Sequence, residues 1–209
     1  MNLDYTKYPI CDTDMWVYIY LSDFSNRIFQ KYKKLIFADV VEQEILAWEK
    51  NNEKYKDIAL YFKKCKQDGL VIVIQHEIHI EVDDRQFLEQ ALLDLNFKYG
   101  LKNSPKEKNK GEFVSALYAD YFEIPFMKTN DNAFQENGEG KKEFPDLEIK
   151  NWYDVVEEFA IDHNEKIRIR KLVEQEQQKM KDHYEKQKEE KKKEDLLSRL
   201  AQQMNNRRL

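Results

Sequence analysis

The segment "LVIVIQ", Leu70 to Gln75, is apolar at five consecutive positions, four of them in the β-branched series Val71, Ile72, Val73 and Ile74. Successive side chains of an extended strand point to opposite faces. A strand that is apolar at every position is therefore covered on both sides, the situation of a parallel sheet lying between helices. Gly69 stands just before it and stops the amphipathic stretch "KYKDIALYFKKCKQ" (54–67) as a helix C-cap would. Outward from this strand the pattern repeats. "YPICDT" (8–13) and "LIFAD" (35–39) read as short strands, each followed by a helical stretch, "DMWVYIYLSDFSNRIFQKYKK" (14–34) and "VVEQEILAWEK" (40–50). After 75 come a helix "DDRQFLEQALLDLNFKYG" (83–100), a helix "GEFVSALYADYFE" (111–123), a strand "IPFMKT" (124–129), a last strand "LEIKNW" (147–152) and the helical "YDVVEEFA" (153–160). Strands alternating with helices give βαβ units, so the expected class is α/β with a mostly parallel central sheet.

The chain has 209 residues, 41% apolar and 13% aromatic, enough for one ordinary domain with an appendage. Charged residues reach 36%, above the usual level of about 25%. Cys11 and Cys65 form no CxxC pair, which argues against a zinc site or a disulfide framework. No run approaches the roughly 18 apolar residues of a membrane span, and "MNLDYTKYPI" lacks a signal pattern. The expectation is a soluble, cytoplasmic protein with no membrane partner.

Net charge is −5 and unevenly spread: 14 of the 35 Lys and Arg and 10 of the 40 Asp and Glu lie in 161–209, leaving 21 and 30 in 1–160. The expected division is a body, 1–160, and a charged tail, 161–209. The tail contains neither Gly nor Pro and reads as one long exposed helix; some 40 residues would reach about 60 Å. Leu196, Leu197, Leu200 and Met204 are its compact apolar face, the expected anchor for a protein partner or a second copy.

Four carboxylates fall near strand ends or helix starts. Asp12 ends the first strand, Glu44 lies one turn into the helix after the second, Glu112 opens the helix before "IPFMKT", and Asp131 follows that strand in "MKTNDNAF" (127–134). Ligand sites of open α/β sheets form beyond the carboxyl ends of the strands, so one sheet edge can gather all four. Uncompensated carboxylates repel, and they persist together when protons or divalent cations neutralise them. Hard oxygen donors without convergent His or Cys indicate Mg²⁺ or Mn²⁺. Each residue also has a plainer reading: an Asx turn for Asp12, an exposed helix position for Glu44 (with Glu42 as the competing site residue), a helix-dipole partner for Glu112, and an N-cap for Asp131. Asp14 is either a fifth site carboxylate or an N-cap. His76 and His79 in "QHEIHIEV" read as structural residues at a strand end.

"ICDTDMWVYIYL", "FADVVEQEIL" and "KGEFVSALYADYFEIPFMKTNDNAF" resemble, in order, the blocks of PIN-domain nucleases, toxin-like members in particular. The matching residues are Asp12-Thr13, Val40-Val41 with Glu44, Glu112 with Ala116 and Ala119, and Thr129, Asp131 and Phe134. The likeness covers roughly 8–155. Glu112 stands where many members have Asp, and Asp14 where Ser or Asn is common. The resemblance implies a three-layer α/β/α fold and metal-dependent cleavage of nucleic acid, RNA ahead of DNA, in a toxin or defence-system effector. It also implies that Asp12, Glu44, Glu112 and Asp131 are catalytic, with metal on Asp12, Glu112 and Asp131 and, where Asp14 is a site carboxylate, on Asp14 as well. A non-catalytic PIN-like scaffold is the alternative. Lys102, Lys106, Lys108 and Lys110 form a basic loop running into Glu112, either a solvated loop or a funnel for phosphates. Thr129 and Asn130 are candidates for substrate contact or for a turn.

Overall fold

The computed structural model describes residues 3–51, 53–102 and 107–206, with the backbone alone at 51, 53, 54 and at most positions beyond 179. Lys106 lies outside the described residues, as do the side chains of Leu196, Leu197, Leu200 and Met204. The chain divides into two compact units, Met1–Asp162 and His163–Leu209.

In the first unit a 3₁₀ turn, Tyr5–Lys7, leads into β1 (Ile10–Cys11), α1 (Thr13–Ser22), α2 (Ser25–Tyr32), β2 (Leu35–Ala38), α3 (Asp39–Asn51), α4 (Glu53–Gln67) and β3 (Val71–Ile74). Then follow α5 (His76–His79), α6 (Val82–Asp94), α7 (Lys110–Tyr121), β4 (Met127–Lys128), a 3₁₀ turn at Asn132–Phe134, α8 (Glu139–Glu143), β5 (Ile149–Lys150) and α9 (Trp152–Phe159). The second unit carries α10 (His163–Asn206).

The five strands form one sheet in the order β3-β2-β1-β4-β5, every pair parallel. The fold is α/β, of the three-layer kind that covers a parallel sheet with helices on both faces. β2 and β3 are the longest pair, in register from Leu35 opposite Val71 to Ala38 opposite Ile74. Leu35, Ile36, Phe37 and Ala38 are wholly buried, which is why "LIFA" carries no alternation. Trp16 of α1 sets its indole edge-on against Phe37 and Phe62, with ring centres 5.6 and 5.2 Å apart.

Three expectations are corrected. The helix expected over 14–34 is two helices, α1 and α2. The chain turns at Asp23, whose φ of +60° is left-handed backbone that Asp tolerates better than most residues. The helix expected to run to 100 ends at Asp94, and Asn96, at φ +68°, carries the exit turn. His76 and His79, expected in extended backbone at a strand end, lie in a single helical turn, α5, just past the end of β3, because His79 N–H and Ile78 N–H both donate back to the Gln75 carbonyl.

Strand order reverses at β1. β2 and β3 are added on one side and β4 and β5 on the other. The crossovers that leave β1 and enter β4 therefore run to opposite sides, and a crevice opens between the carboxyl ends of β1 and β4. Asp12 follows β1 directly and Asp131 lies three residues after β4.

Candidate functional site

Asp12 is the floor of that crevice and is 1% exposed. Its backbone N–H donates to the Lys128 carbonyl at 3.1 Å, tying the end of β1 to the end of β4. Its Oδ1 accepts the Met15 N–H at 2.7 Å and caps α1, while Oδ2 accepts the Thr129 hydroxyl. Thr129 in turn accepts the Asp131 N–H at 3.1 Å. One hydroxyl thus links the floor carboxylate to the backbone of Asp131. Asp12, whose plainer reading is an Asx turn, is instead the N-cap of α1, a place also offered to Asp14, and the cap holds it at the crevice.

Around the floor stand four more carboxylates. Asp14, in the first turn of α1, is exposed, while Glu44, Glu112 and Asp131 are half-buried. Glu44 Oε2 accepts the Thr13 hydroxyl at 2.7 Å. Its competitor Glu42 points elsewhere and pairs with Lys66 at 2.6 Å. Asp131 Oδ1 accepts the Ala133 N–H at 2.7 Å and the Asn109 amide at 3.3 Å. Gly111 lets α7 approach α3: a Cβ there would lie 3.2 Å from Val41 Cγ2 and 3.4 Å from Glu44 Oε2. That close approach brings Glu112 beside Glu44.

These groups act on one another. Burial, and then the charges of Asp14 and Glu112, hold the Asp12 carboxyl well above the ordinary carboxylate range. Burial, then Asp131 and Glu44, raises Asp14. Asp14 is solvent-accessible, so water screens part of that effect. Glu112 is pushed up to about 7 by burial and then by Asp131, Glu44 and Asp14. The five carboxylates read in the sequence are brought together, Asp14 included.

The lysines are not. Lys110 is 2% exposed; its Nζ donates to the Lys102 carbonyl and lies 3.2 Å from Glu107. It closes the loop from inside and cannot meet a phosphate. Lys102 and Lys108 are exposed. Thr129 is fully buried and bonded inward, so it positions Asp12 and Asp131 and is not open to substrate. Asn130 Oδ1 lies 3.5 Å from the Trp152 N–H, at the start of α9. Thr13, read in the sequence only as part of the Asp12-Thr13 block, and Asn109 and Asp39, not singled out there, complete the edge: Thr13 and Asn109 hold site carboxylates, and Asp39 begins α3. Thr13 and Asn109 each adjoin or nearly adjoin a site residue in the chain, which is the one signal that could have flagged them.

Among the described residues no three His, Cys, Asp or Glu side chains converge as a ready-made metal site. The donor set nonetheless fits a hard divalent cation in chemistry and charge: five carboxylates, with three of them held less acidic than usual. Their side chains must turn towards one another to ligate it. No family model matches the chain, and no curated protein or solved structure matches it. Among the described residues no helix is long and apolar enough to cross a membrane.

Proposed function

We propose that the chain is a metal-dependent nuclease of the PIN type, an endonuclease that acts on RNA ahead of DNA. The observation that carries this reading is the gathering of Asp12, Asp14, Glu44, Glu112 and Asp131 at the carboxyl ends of β1 and β4, where burial and then neighbouring carboxylates act on Asp12, Asp14 and Glu112. A chain gains nothing in stability from five carboxylates crowded at one edge, since like charges held together cost free energy. Asp12, Asp14, Glu112 and Asp131 would hold Mg²⁺ or Mn²⁺. A cation bound there would supply Lewis acidity, making a water more acidic and offsetting charge on the phosphoryl oxygens.

The chain's own residues do the rest. Asp12 is held in place by one hydrogen bond on each carboxylate oxygen and by its N–H on β4, and each oxygen keeps a further lone pair for a cation. Thr129 keeps Asp131 in register with it. Glu44 is oriented by Thr13. Glu112, half-buried in the first turn of α7, would lend its carboxylate to the cation beside Asp131, and the positive charge would offset the crowding that raises its pKa in the empty site. Products would carry 5′-phosphate and 3′-hydroxyl ends. Among the described residues of the adjoining loop, Lys102 and Lys108 are exposed cations.

The lack of three converged donors favours a second reading, a PIN-like scaffold that binds without cutting. Cleavage of mixed-sequence single-stranded RNA and DNA, with Mg²⁺ or Mn²⁺ and again with EDTA, separates the two. We expect cation-dependent cleavage that Asp12→Asn and Asp131→Asn each reduce at least a hundredfold, with circular dichroism and gel filtration unchanged. Full cleavage in EDTA, or by both variants, refutes the catalytic assignment.

A further inference from the structure

At the carboxyl ends of β2 and β3, beside the carboxylate crevice, lies a second polar group. His76 follows β3 and Asp39 follows β2. His76 Nδ1 lies 2.8 Å from Asp39 Oδ2, and the His76 backbone N–H reaches the same oxygen at 3.3 Å. Asp39 is 7% exposed, and its Oδ1 accepts the Tyr118 hydroxyl from α7 at 3.2 Å. The imidazole is thus held by a buried carboxylate that is itself held from two sides. Its other nitrogen, Nε2, lies 3.0 Å from Oε1 of Glu77. Oε2 of the same carboxylate accepts Nη1 of Arg85 at 3.2 Å. The rest of that guanidinium is bound to main chain, Nε to the Ile80 carbonyl at 2.9 Å and Nη2 to the Glu77 carbonyl at 2.6 Å.

Two donors fixed by other parts of the fold therefore face one carboxylate, Glu77, whose side chain is 70% exposed. The donors are ordered and the acceptor is the loose member. A carboxylate bridging a guanidinium and an imidazole occupies the place that a phosphate oxygen pair would take. When Nε2 carries a proton, His76 and Arg85 present two N–H groups in a body whose residues 1–160 are otherwise acidic, 30 carboxylates against 21 Lys and Arg. Two strand spacings separate the end of β3 from that of β1, on the order of 10 Å, so the group lies within a nucleotide or two of the crevice.

We propose that His76 and Arg85 form a phosphate seat, with Glu77 as its internal occupant, which receives a backbone phosphate next to the scissile one. The choice of nucleic acid rests on the nuclease reading above; the seat itself does not. Glu77 swings out to solvent when the phosphate arrives, and Asp39 keeps the imidazole in place. The device gives a net acidic surface a local affinity for phosphate and withholds it from weaker anions.

The test uses the full chain. First, inorganic phosphate is titrated into wild type and Glu77→Gln while the His76 ring nitrogens are followed by NMR. The His76 signals should move, at a phosphate concentration roughly tenfold lower in Glu77→Gln. Second, binding of a mixed-sequence single-stranded RNA 12-mer is measured against salt in EDTA. Glu77→Gln should tighten it several-fold. Arg85→Gln, which removes the permanent charge of the seat, should weaken it about tenfold and lower the slope of log K against log salt by about 0.7. Arg85→Lys should restore the slope, which a merely structural role for the guanidinium would not do. His76 signals that stay fixed in both proteins, or an unchanged slope in Arg85→Gln, overturn the seat. If wild type still cleaves RNA in that case, the nuclease reading survives alone. If the seat binds phosphate and no RNA is cleaved, the seat survives as an anion site and the nuclease reading falls.

Discussion

Glu112 gives the sharpest handle on the crevice. Its carboxyl is raised from 4.5 to about 7 in the folded chain. A group whose folded pKa lies above its unfolded value stabilises fully below the unfolded pKa and loses that contribution as pH rises through the folded one. The window is therefore pH 4.5 to 7, and stability falls across it as pH increases. The 2.5-unit shift corresponds at most to about 3 kcal/mol at 1.36 kcal/mol per unit. Most of that loss falls between pH 5 and pH 8, and solvent at the half-buried side chain screens part of it, leaving about 2 kcal/mol. For a chain of this size that is a melting temperature lower by roughly 4–8 °C. The perturbation is Glu112→Gln, which keeps the shape and removes the charge. In EDTA, wild type should lose stability from pH 5 to pH 8, and the variant should lose about 2 kcal/mol less. Removing the Glu112 charge also relieves Asp12, which feels it directly. Urea unfolding at both pH values, followed by tryptophan fluorescence, measures the difference. A variant as pH-sensitive as wild type, or less stable than wild type at pH 8, would refute the crowding of carboxylates on which the site rests.

Two further outcomes follow. Lys102→Ser with Lys108→Ser should weaken RNA binding and flatten its salt dependence with little loss of stability, whereas Lys110→Ser should leave the slope alone and destabilise by about 1–3 kcal/mol, because it strips partners from the Lys102 carbonyl and Glu107; urea unfolding and salt-series binding on the same proteins separate the two effects. A chain ending at Asp162 should stay folded, keep its intrinsic cleavage and elute as a smaller species, since Met1–Asp162 is a compact unit by itself; unfolding of that chain, or an unchanged oligomeric state with every interaction retained, would count against an assembly role for residues 163–209.

The sheet was legible because its signal is local. "LVIVIQ" and "LIFAD" declare burial on both faces within a few residues each, and they became the paired strands β3 and β2. The same reading overran the helices. Nothing in "YLSDFSN" forbids a continuing helix on propensity alone, and the break at Asp23 comes from a left-handed residue that the pattern of apolar positions does not register. Lys110 misled for a related reason: a lysine in a basic loop looks solvated, but its long stem lets the ammonium turn inward to a carbonyl and a carboxylate. Asp39 was invisible as a site residue because its partners, His76 and Tyr118, lie 37 and 79 positions away.

The carboxylates themselves were legible because a parallel sheet leaves few places for them. Once β1 and β4 are neighbours, residues that follow them must share an edge, and the order β3-β2-β1-β4-β5 makes them neighbours although 115 residues separate Cys11 from the start of β4 at Met127. What the sequence could not supply is the depth of each group. Asp12 and Asp14 are two residues apart, yet one is the buried floor and the other is at the surface. That difference decides their roles. Asp12 is bound on both oxygens, so it can change partner only at the expense of the α1 cap or the Thr129 bond, and it acts as the fixed point of the edge. Asp14 and Glu112 carry raised pKa values without that anchoring, so under the proposed nuclease reading they are the groups whose protonation would respond first to a bound cation. Glu44 and Asp131 are held by Thr13 and by Ala133 and Asn109, so an edge of five carboxylates keeps its shape while only the unanchored two adjust to charge.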